Sequence, residues 1–198
     1  MLPAPSIDRG TLTRWLALAR LPEVDVAITD AHRAIAGDIG ASRPVCTASG
    51  RCCDFGRTGH DLFVTGLEVA WTLDRIPPER AVLSEDVHDA RARGDCPFLV
   101  GESVRRCGVH PARPMGCRVY FCDPTREGFV QDLAERGAAL VRDIHDRFDV
   151  PYIYAEWRAL LGSFLGVDVG RRPTRPLASE RAMSERGAFV ALTRGSAS

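Results

Sequence analysis

The residues with the clearest chemical potential are seven cysteines, all between positions 46 and 122. Cysteines used as small apolar core residues would also occur on the helical stripes of the chain, which these avoid. They lie instead in segments rich in glycine and proline, where backbone N–H groups can donate hydrogen bonds to thiolates that bind a metal. The distribution predicts a metal site built from loops. The candidate ligands are Cys46, Cys52, Cys53, Cys96, Cys107, Cys117 and Cys122.

The residues around these cysteines also suit a metal site. Gly108 directly follows Cys107 and Gly116 directly precedes Cys117, and glycine permits the backbone angles that tight turns need. Several thiolates on one metal ion carry net negative charge, which positive neighbours offset while they lower thiol pKa values. A solvated loop surface is an equally good interpretation of each such arginine. The arginines between positions 96 and 122 are Arg105, Arg106, Arg113 and Arg118.

The cysteine spacing excludes several familiar sites. No two cysteines are separated by two residues, which removes the signature of zinc ribbons, RING domains and thioredoxin-like proteins. The ferredoxin spacings are absent too. The neighbours Cys52 and Cys53 cannot easily form an unstrained disulfide with each other. One of them can bind the metal while the other packs, binds a second metal or remains a redox thiol.

Three blocks of sequence, CTASGRCC, GDCPFL and CGVHPARPMGCRVYFC, resemble the YkgJ-like cysteine-cluster family, described as a zinc- or iron-chelating domain. The family's usual first block is C-x₂-C-G-x-C-C, and its later blocks are C-P-F-L and C-x-[IV]-[YH]-x₂-R-P-x₂-C-R-x-[YF]. The resemblance covers roughly residues 44–124 and keeps the order of the blocks. It implies a zinc ion or an iron–sulfur cluster as cofactor. The ligands that it implies are Cys46, Cys52, Cys53, Cys96, Cys107 and Cys117.

The chain departs from this family pattern at two positions. Ser49 stands where the family's second cysteine usually falls, and Cys122 lies beyond the usual core as a candidate replacement. A related branch, the flagellin lysine N-methylases, is thought to carry an iron–sulfur cluster and to use S-adenosylmethionine. The chain has no glycine-rich strand–turn–helix motif for that cosubstrate, so the methylase role is not expected.

Residues other than cysteine are weaker candidates. His110 can act as a zinc ligand, but the family often has tyrosine there, which favours a packing or supporting role. His60 is a weaker candidate still. Asp54 and Asp123 follow cysteines and can orient arginines, although a helix cap explains Asp123 more simply. The other histidines, expected at the surface, are His32, His88 and His145. The aromatic residues expected in the core are Trp71, Tyr152, Tyr154 and Trp157.

The periodicity of apolar residues predicts a mainly α fold, with helices flanking an irregular, loop-rich cysteine core and little β structure. Residues 1–167 are expected to form a single helical domain with its cysteine core at 44–124, followed by a mobile tail at 168–198. The first predicted elements are a helix capped by Ser6 or Asp8 and a helix from Pro22 that ends at Gly37 and Gly40. A strand at 61–65, a helix with a Thr65–Glu68 capping box and a helix at 84–93 follow. After a chain of turns at 94–124, we expect a helix from Thr125 and a last helix opened by Pro151.

Composition excludes further classes of function. Acidic and basic residues balance at 26 each, so no strong overall field favours nucleic acid or an anionic membrane. The arginines of the C-terminal segment (Arg171, Arg172 and Arg175) lack the interleaved aromatic residues typical of nucleic-acid binding. There is no lysine, which removes Schiff-base chemistry and the P-loop lysine. The first residues lack a signal-peptide pattern and no apolar run would span a bilayer, so a cytoplasmic location is expected.

Three hypotheses remain open. In the first, the chain is a cytoplasmic metal-binding protein, whose metal is structural or which presents its surface to a protein partner. In the second, it is a metal- or cluster-dependent modifying or redox enzyme. In the third, it is a thiol redox sensor that reacts through Cys52 or Cys53. Whether the protein is an enzyme is left open.

Overall fold

The computed structural model describes residues 6–44, 49–101, 105–121 and 124–166. Within these ranges the chain forms eight α-helices and two small antiparallel sheets of two strands each, which confirms the mainly α fold. No helix in the same ranges is both long and apolar enough to cross a bilayer. Four positions or segments of the sequence analysis lie outside the described residues: Cys46, Cys122, Asp123 and the expected tail at 168–198.

The elements follow one another with short connections. The helices are α1 (Arg9–Leu18), α2 (Pro22–Ser42), α3 (Phe55–Thr58), α4 (Gly66–Arg75), α5 (Ser84–Arg93), α6 (Met115–Val119), α7 (Glu127–Arg147) and α8 (Trp157–Leu165). The strands are β1 (Phe63–Thr65), β2 (Leu99–Val100), β3 (Arg106–Cys107) and β4 (Tyr154–Glu156). Strand β1 pairs with β4, and β2 pairs with β3. Single 3₁₀ turns occur at Arg51–Cys53, Pro78–Arg80, His110–Ala112 and Pro124–Arg126.

The beginnings of α1 and α2 agree with the sequence, but the end of α2 does not. The Asp8 carboxylate accepts a hydrogen bond from the Thr11 N–H (2.9 Å) and so caps α1. Helix α2 continues through Gly37 and Gly40, so its predicted end was wrong. Each glycine costs about 1 kcal/mol relative to alanine inside a helix. Packing of α2 along α7 offsets that cost.

Two segments that were predicted from local pattern also differ in the structure. Residues 154–156 form β4 rather than a helix opened by Pro151, because they pair with β1, with Phe63 opposite Glu156. Helix α8 starts only at Trp157, after the Glu156 carboxylate caps it. The stretch at 94–124 is not only turns, since it contains the β2–β3 hairpin and the five-residue helix α6. Such short elements carry too few residues to show a period.

The hydrophobic core lies where α1, α4 and α8 meet, and extends between α2, α6 and α7. The Trp15 side chain is completely buried and covers Gly66, where an added Cβ would lie 2.2 Å from the indole ring. Trp71 and Trp157 are buried, as expected. Tyr152 and Tyr154 were expected in the core but are 37% and 55% exposed, because they flank the edge of the β1–β4 pair.

Two of the three histidines expected at the surface are buried. The His32 ring packs edge-on against Trp71, with 5.1 Å between ring centroids. Burial, followed by the positive charges of Arg118 and Arg113, lowers the pKa of His32 to about 3. The His145 ring is 1% exposed, and its Nδ1 lies 3.1 Å from the Val150 carbonyl oxygen. His88 is exposed, as predicted.

A buried carboxylate joins the helical frame to the cysteine-bearing centre. Glu68 Oε2 accepts hydrogen bonds from the Thr65 N–H and hydroxyl, both at 2.9 Å, within the predicted capping box. Glu68 Oε1 accepts a bond from the N–H of Met115 (2.9 Å), the first residue of α6. Burial raises the pKa of Glu68, while these donors oppose the shift. Since α6 carries Cys117, this one side chain fixes the start of a helix that holds a candidate ligand.

We expect Glu68→Gln to destabilise the fold by about 2 kcal/mol, because an amide NH₂ group would replace one acceptor oxygen and face a backbone N–H. Urea unfolding followed by circular dichroism measures the change. The control is Glu79→Gln at an exposed carboxylate, which should stay within about 0.5 kcal/mol of the parent protein. Equal stability of the two variants would contradict the role given to Glu68.

Candidate metal centre

The five cysteines that the structure describes come from four separate segments. All five are free thiols, with Cys53 and Cys96 buried and the other three partly exposed. They are contributed by the turn Arg51–Cys53 (Cys52 and Cys53), the segment after α5 (Cys96), strand β3 (Cys107) and helix α6 (Cys117).

The thiols of four of these residues lie near one another, around Cys53. The Cys53 thiol lies near enough to the thiols of Cys52, Cys96 and Cys107 for each of them to raise its pKa. One of the two more distant partners, Cys96, also approaches Cys53 along the backbone. The Cys96 N–H donates a 2.7 Å hydrogen bond to the Cys53 carbonyl oxygen, and Cys107 pairs with Leu99 across the β2–β3 hairpin. Four sulfurs from three segments therefore lie together.

Glycines allow these segments to approach closely. Gly50 has φ = +69°, and an added Cβ would lie 2.7 Å from the Arg105 carbonyl oxygen. The expectation that Gly108 and Gly116 supply unusual turn angles was wrong, since neither has a positive φ. An added Cβ at Gly116 would instead lie 2.8 Å from Leu62 Cδ1. Gly116 is needed because α6 packs directly against the chain before β1.

An arginine and two carboxylates tie the cysteine segments together. Arg105 Nη1 lies 2.8 Å from Asp54 Oδ2, and Arg105 Nη2 lies 2.7 Å from Asp95 Oδ1. Asp54 follows Cys53 and Asp95 precedes Cys96, so one guanidinium, on the residue just before β3, links both cysteine segments. The prediction that Asp54 orients an arginine is confirmed. Asp95 was missed, although its position next to a cysteine was a usable signal.

The other arginines of this region have different roles. Arg118 donates hydrogen bonds to the carbonyl oxygens of Arg113 (2.9 Å) and Pro111 (2.6 Å), which holds the loop before α6. Arg113 Nε donates to the His110 carbonyl oxygen at 3.2 Å. Only Arg106 is exposed. The interpretation as a solvated surface therefore fits one of the four.

The protonation of the thiols depends on their mutual contacts. Interaction with the Cys53 thiol lowers the pKa of Cys52 to about 6 and that of Cys107 to about 7, and the nearby Arg113 charge acts in the same direction. Since Cys53 has a single S–H, it can donate to only one of these two sulfurs at a time. The bonds that Cys53 makes to Cys107 and Cys52 raise the pKa of Cys53, and burial adds to this. Burial also raises the pKa of Cys117 well above its ordinary value. Of the four thiols whose pKa is shifted, Cys52 and Cys107 are thus the ones that lose a proton more readily than a free cysteine.

The donor set fits a zinc ion or an iron–sulfur cluster in its chemistry, since thiolates are the preferred ligands of both. The arrangement of the described side chains, by contrast, is not that of a formed metal site. Within the described ranges, no group of three or more cysteine, histidine, aspartate or glutamate side chains is arranged so that it could hold a metal ion. The thiols contact one another directly through Cys53. A bound metal would have to replace these sulfur contacts.

The histidines near the cysteines do not join the thiol cluster in the described structure. The His110 side chain is exposed, contrary to the packing role expected for it. The His60 ring stacks on Tyr120 with 4.2 Å between centroids, and its Nδ1 lies 2.7 Å from the Thr58 hydroxyl. The His60 and Tyr120 rings border a cavity of about 210 Å³ that reaches Cys52, Cys53 and Cys117. The sequence analysis missed this cavity, because its walls come from distant segments.

Comparison of the chain with models of protein families, with curated proteins and with solved structures finds no match. The resemblance to the YkgJ-like family therefore stays a prediction from the three cysteine blocks.

We expect Arg105→Gln to loosen the cysteine centre, because a neutral amide cannot link both carboxylates. Unfolding free energy should fall by about 1 kcal/mol, a modest value since the Arg105 side chain is 38% exposed and water screens the pair. Reaction with a thiol reagent should become severalfold faster at the buried Cys53 and Cys96. The exposed neighbour provides the control, Arg106→Gln. Equal thiol reactivity in the Arg105→Gln and Arg106→Gln variants would contradict the proposed role of Arg105 in linking the cysteine segments.

Proposed function

We propose that the chain binds a metal ion or a metal–sulfur cluster through its clustered cysteines. The observation that carries the proposal is that cysteines from distant segments are brought together: the Cys96 N–H donates to the Cys53 carbonyl oxygen, and Cys52, Cys53 and Cys117 line one cavity. Thiols placed this close repel one another when several lose their protons, unless a cation lies between them. A metal ion supplies that cation and accepts the same sulfurs as ligands.

The residues proposed to hold the metal are first the four contacting cysteines, Cys52, Cys53, Cys96 and Cys107. Cys117 follows because it borders the same cavity as Cys52 and Cys53. Cys46 and Cys122 are proposed from the sequence alone. Arg113 supports the assignment, since its positive charge acts on the thiols and would offset the charge of a thiolate-bound metal.

Zinc and an iron–sulfur cluster are both proposed cofactors, and their consequences differ. A structural zinc ion needs four ligands, fewer than the seven cysteines available. The surplus supports the alternative of a cluster-dependent modifying or redox enzyme. The cavity beside the thiols supports the same alternative, because a reacting molecule could reach the centre through it.

We expect protein purified without oxygen to contain about one zinc ion or one iron–sulfur cluster per chain, measured by elemental analysis and visible absorption. A cluster would give a brown colour that dithionite bleaches, whereas zinc would leave the protein colourless. Cys53→Ser, Cys96→Ser and Cys107→Ser should each lower the metal content severalfold. Arg106→Gln, beside Cys107 but exposed, should retain the parent content.

Chelation provides a test that does not depend on how well the variants fold. Removal of the metal from the parent protein should lower its melting temperature, because a metal that binds the folded state alone stabilises it. Metal-free protein with full helical content and an unchanged melting temperature would rule the proposal out.

The second candidate is a thiol redox sensor in a reducing compartment such as the cytoplasm. It is favoured by the contact between the free thiols of Cys53 and Cys107, residues that are distant in sequence. Peroxide would accept two electrons from this pair, leaving a disulfide and two molecules of water. Because these two thiols are close enough to shift each other's pKa, we expect disulfide formation to need only a local rearrangement.

For this candidate we expect mild peroxide treatment to lower the mass of metal-free protein by two hydrogens, with a Cys53–Cys107 or Cys52–Cys107 linked peptide in the digest. Cys107→Ser should abolish both products, while Cys117→Ser should leave them in place. Oxidation that yields only sulfinic or sulfonic acids, without any linked peptide, would exclude the sensor.

A further inference from the structure

The cavity next to the cysteines has mainly apolar walls. It occupies about 210 Å³ and lies between α6, the first half of α7 and the β1–β4 pair. The thiol-bearing turn Arg51–Cys53 closes one end. The apolar lining residues are Leu62, Phe63, Val119, Val130 and Ala134. Space with such walls favours the apolar part of a small molecule over water.

Two charged side chains line the cavity, and only one of them is neutralised. Asp61 forms an ion pair of 2.9 Å with Arg158, whose side chain is 9% exposed. Arg113 pairs with no carboxylate among the residues that the structure describes, and its Nε donates to the His110 carbonyl oxygen. Arg113 is therefore the cationic group of the described cavity wall, and the groups on which its charge acts are the neighbouring thiols of Cys52, Cys107 and Cys117.

Aromatic rings define the remaining walls and the mouth. The His60 ring is held by its stack on Tyr120 and by the Thr58 hydroxyl, and burial lowers its pKa, which keeps it neutral at pH 7. Tyr154 lines the mouth, 5.8 Å from Phe63 between ring centroids and 55% exposed. Arg113 is then the one cationic side chain among the described lining residues, and so the group able to select an anionic ligand.

We propose that this cavity binds a small carboxylic acid with an apolar body, its carboxylate on Arg113 and its body against the walls formed by β1 and α7. A guanidinium recognises a carboxylate through paired N–H donors, which a neutral analogue cannot satisfy. The cavity is formed by the chain itself, so the proposal does not rest on metal binding. When the proposed metal is present, the ligand lies against the thiols that hold it.

Calorimetric titration of the full chain tests the chemistry of the ligand. The probes are benzoate and hexanoate as carboxylates with apolar bodies, benzyl alcohol as a neutral body and inorganic phosphate as an anion without a body. We expect saturable one-to-one binding of at least one carboxylate, and affinities at least tenfold lower for benzyl alcohol and phosphate. Absence of saturable binding by both carboxylates up to about 10 mM would overturn the proposal, as would phosphate binding as tightly as they do.

Variants of α7 and of Arg113 test the place of binding. Ala134→Phe fills the cavity and should weaken carboxylate binding at least tenfold, whereas Ala139→Phe on the exposed face of the same helix should change it less than twofold. Arg113→Gln should reduce the affinity about tenfold, the loss expected for a charge-assisted hydrogen bond. Unchanged binding by Ala134→Phe would overturn the proposal.

Metal content measured on the same samples separates this inference from the proposed function. Carboxylate binding by metal-free protein would leave this inference standing while the proposed function failed. Full metal content without carboxylate binding would support the proposed function and overturn this inference. The Ala134→Phe variant should keep the metal content of the parent protein, because Ala134 lies on α7, outside the cysteine segments.

Discussion

Contact between several ionisable sulfurs is the constraint on which the centre of this protein depends. The thiols of Cys52, Cys96 and Cys107 all reach Cys53, an arrangement that is unfavourable once protons are lost unless opposite charge or a shared proton compensates. The chain supplies part of the compensation itself, through the hydrogen bonds from Cys53 and the positive charge of Arg113. A bound cation would supply the rest. This is the physical reason for favouring a metal over an unoccupied group of thiols.

Polar links, rather than apolar packing alone, hold the segments that bear these sulfurs. The Arg105 guanidinium joins the carboxylates beside Cys53 and Cys96, and a backbone hydrogen bond joins the same two cysteines. Glu68 performs a similar task on the other side, where it connects the capped start of α4 to the start of α6. The helices thus form the frame, and a few charged side chains hold the cysteine-bearing segments in place against it. The cavity forms where α6 and the first cysteine turn meet α7 and the β1–β4 pair.

Much of the helical frame could be read from local sequence. The Asp8 cap, the proline at the start of α2, the Thr65–Glu68 capping box and the helix at 84–93 depend on neighbours within one turn, and all four are present. The predictions failed where distant residues decide the outcome. Residues 154–156 became a strand because β1 offers its edge, and His32 and His145 became buried because other elements pack over them. Asp95 gained its role from an arginine ten residues away.

The cysteine positions, their confinement to residues 46–122 and the absence of lysine are properties of the sequence alone, and they determined the kinds of chemistry open to this protein. Which sulfurs touch, which arginine lies beside them and whether a cavity adjoins them were decided only by the tertiary structure. Spacing along the chain describes partners within a turn or a hairpin. A group assembled from residues 52 to 117 depends instead on how the helices pack, and that depends on contacts across the whole core.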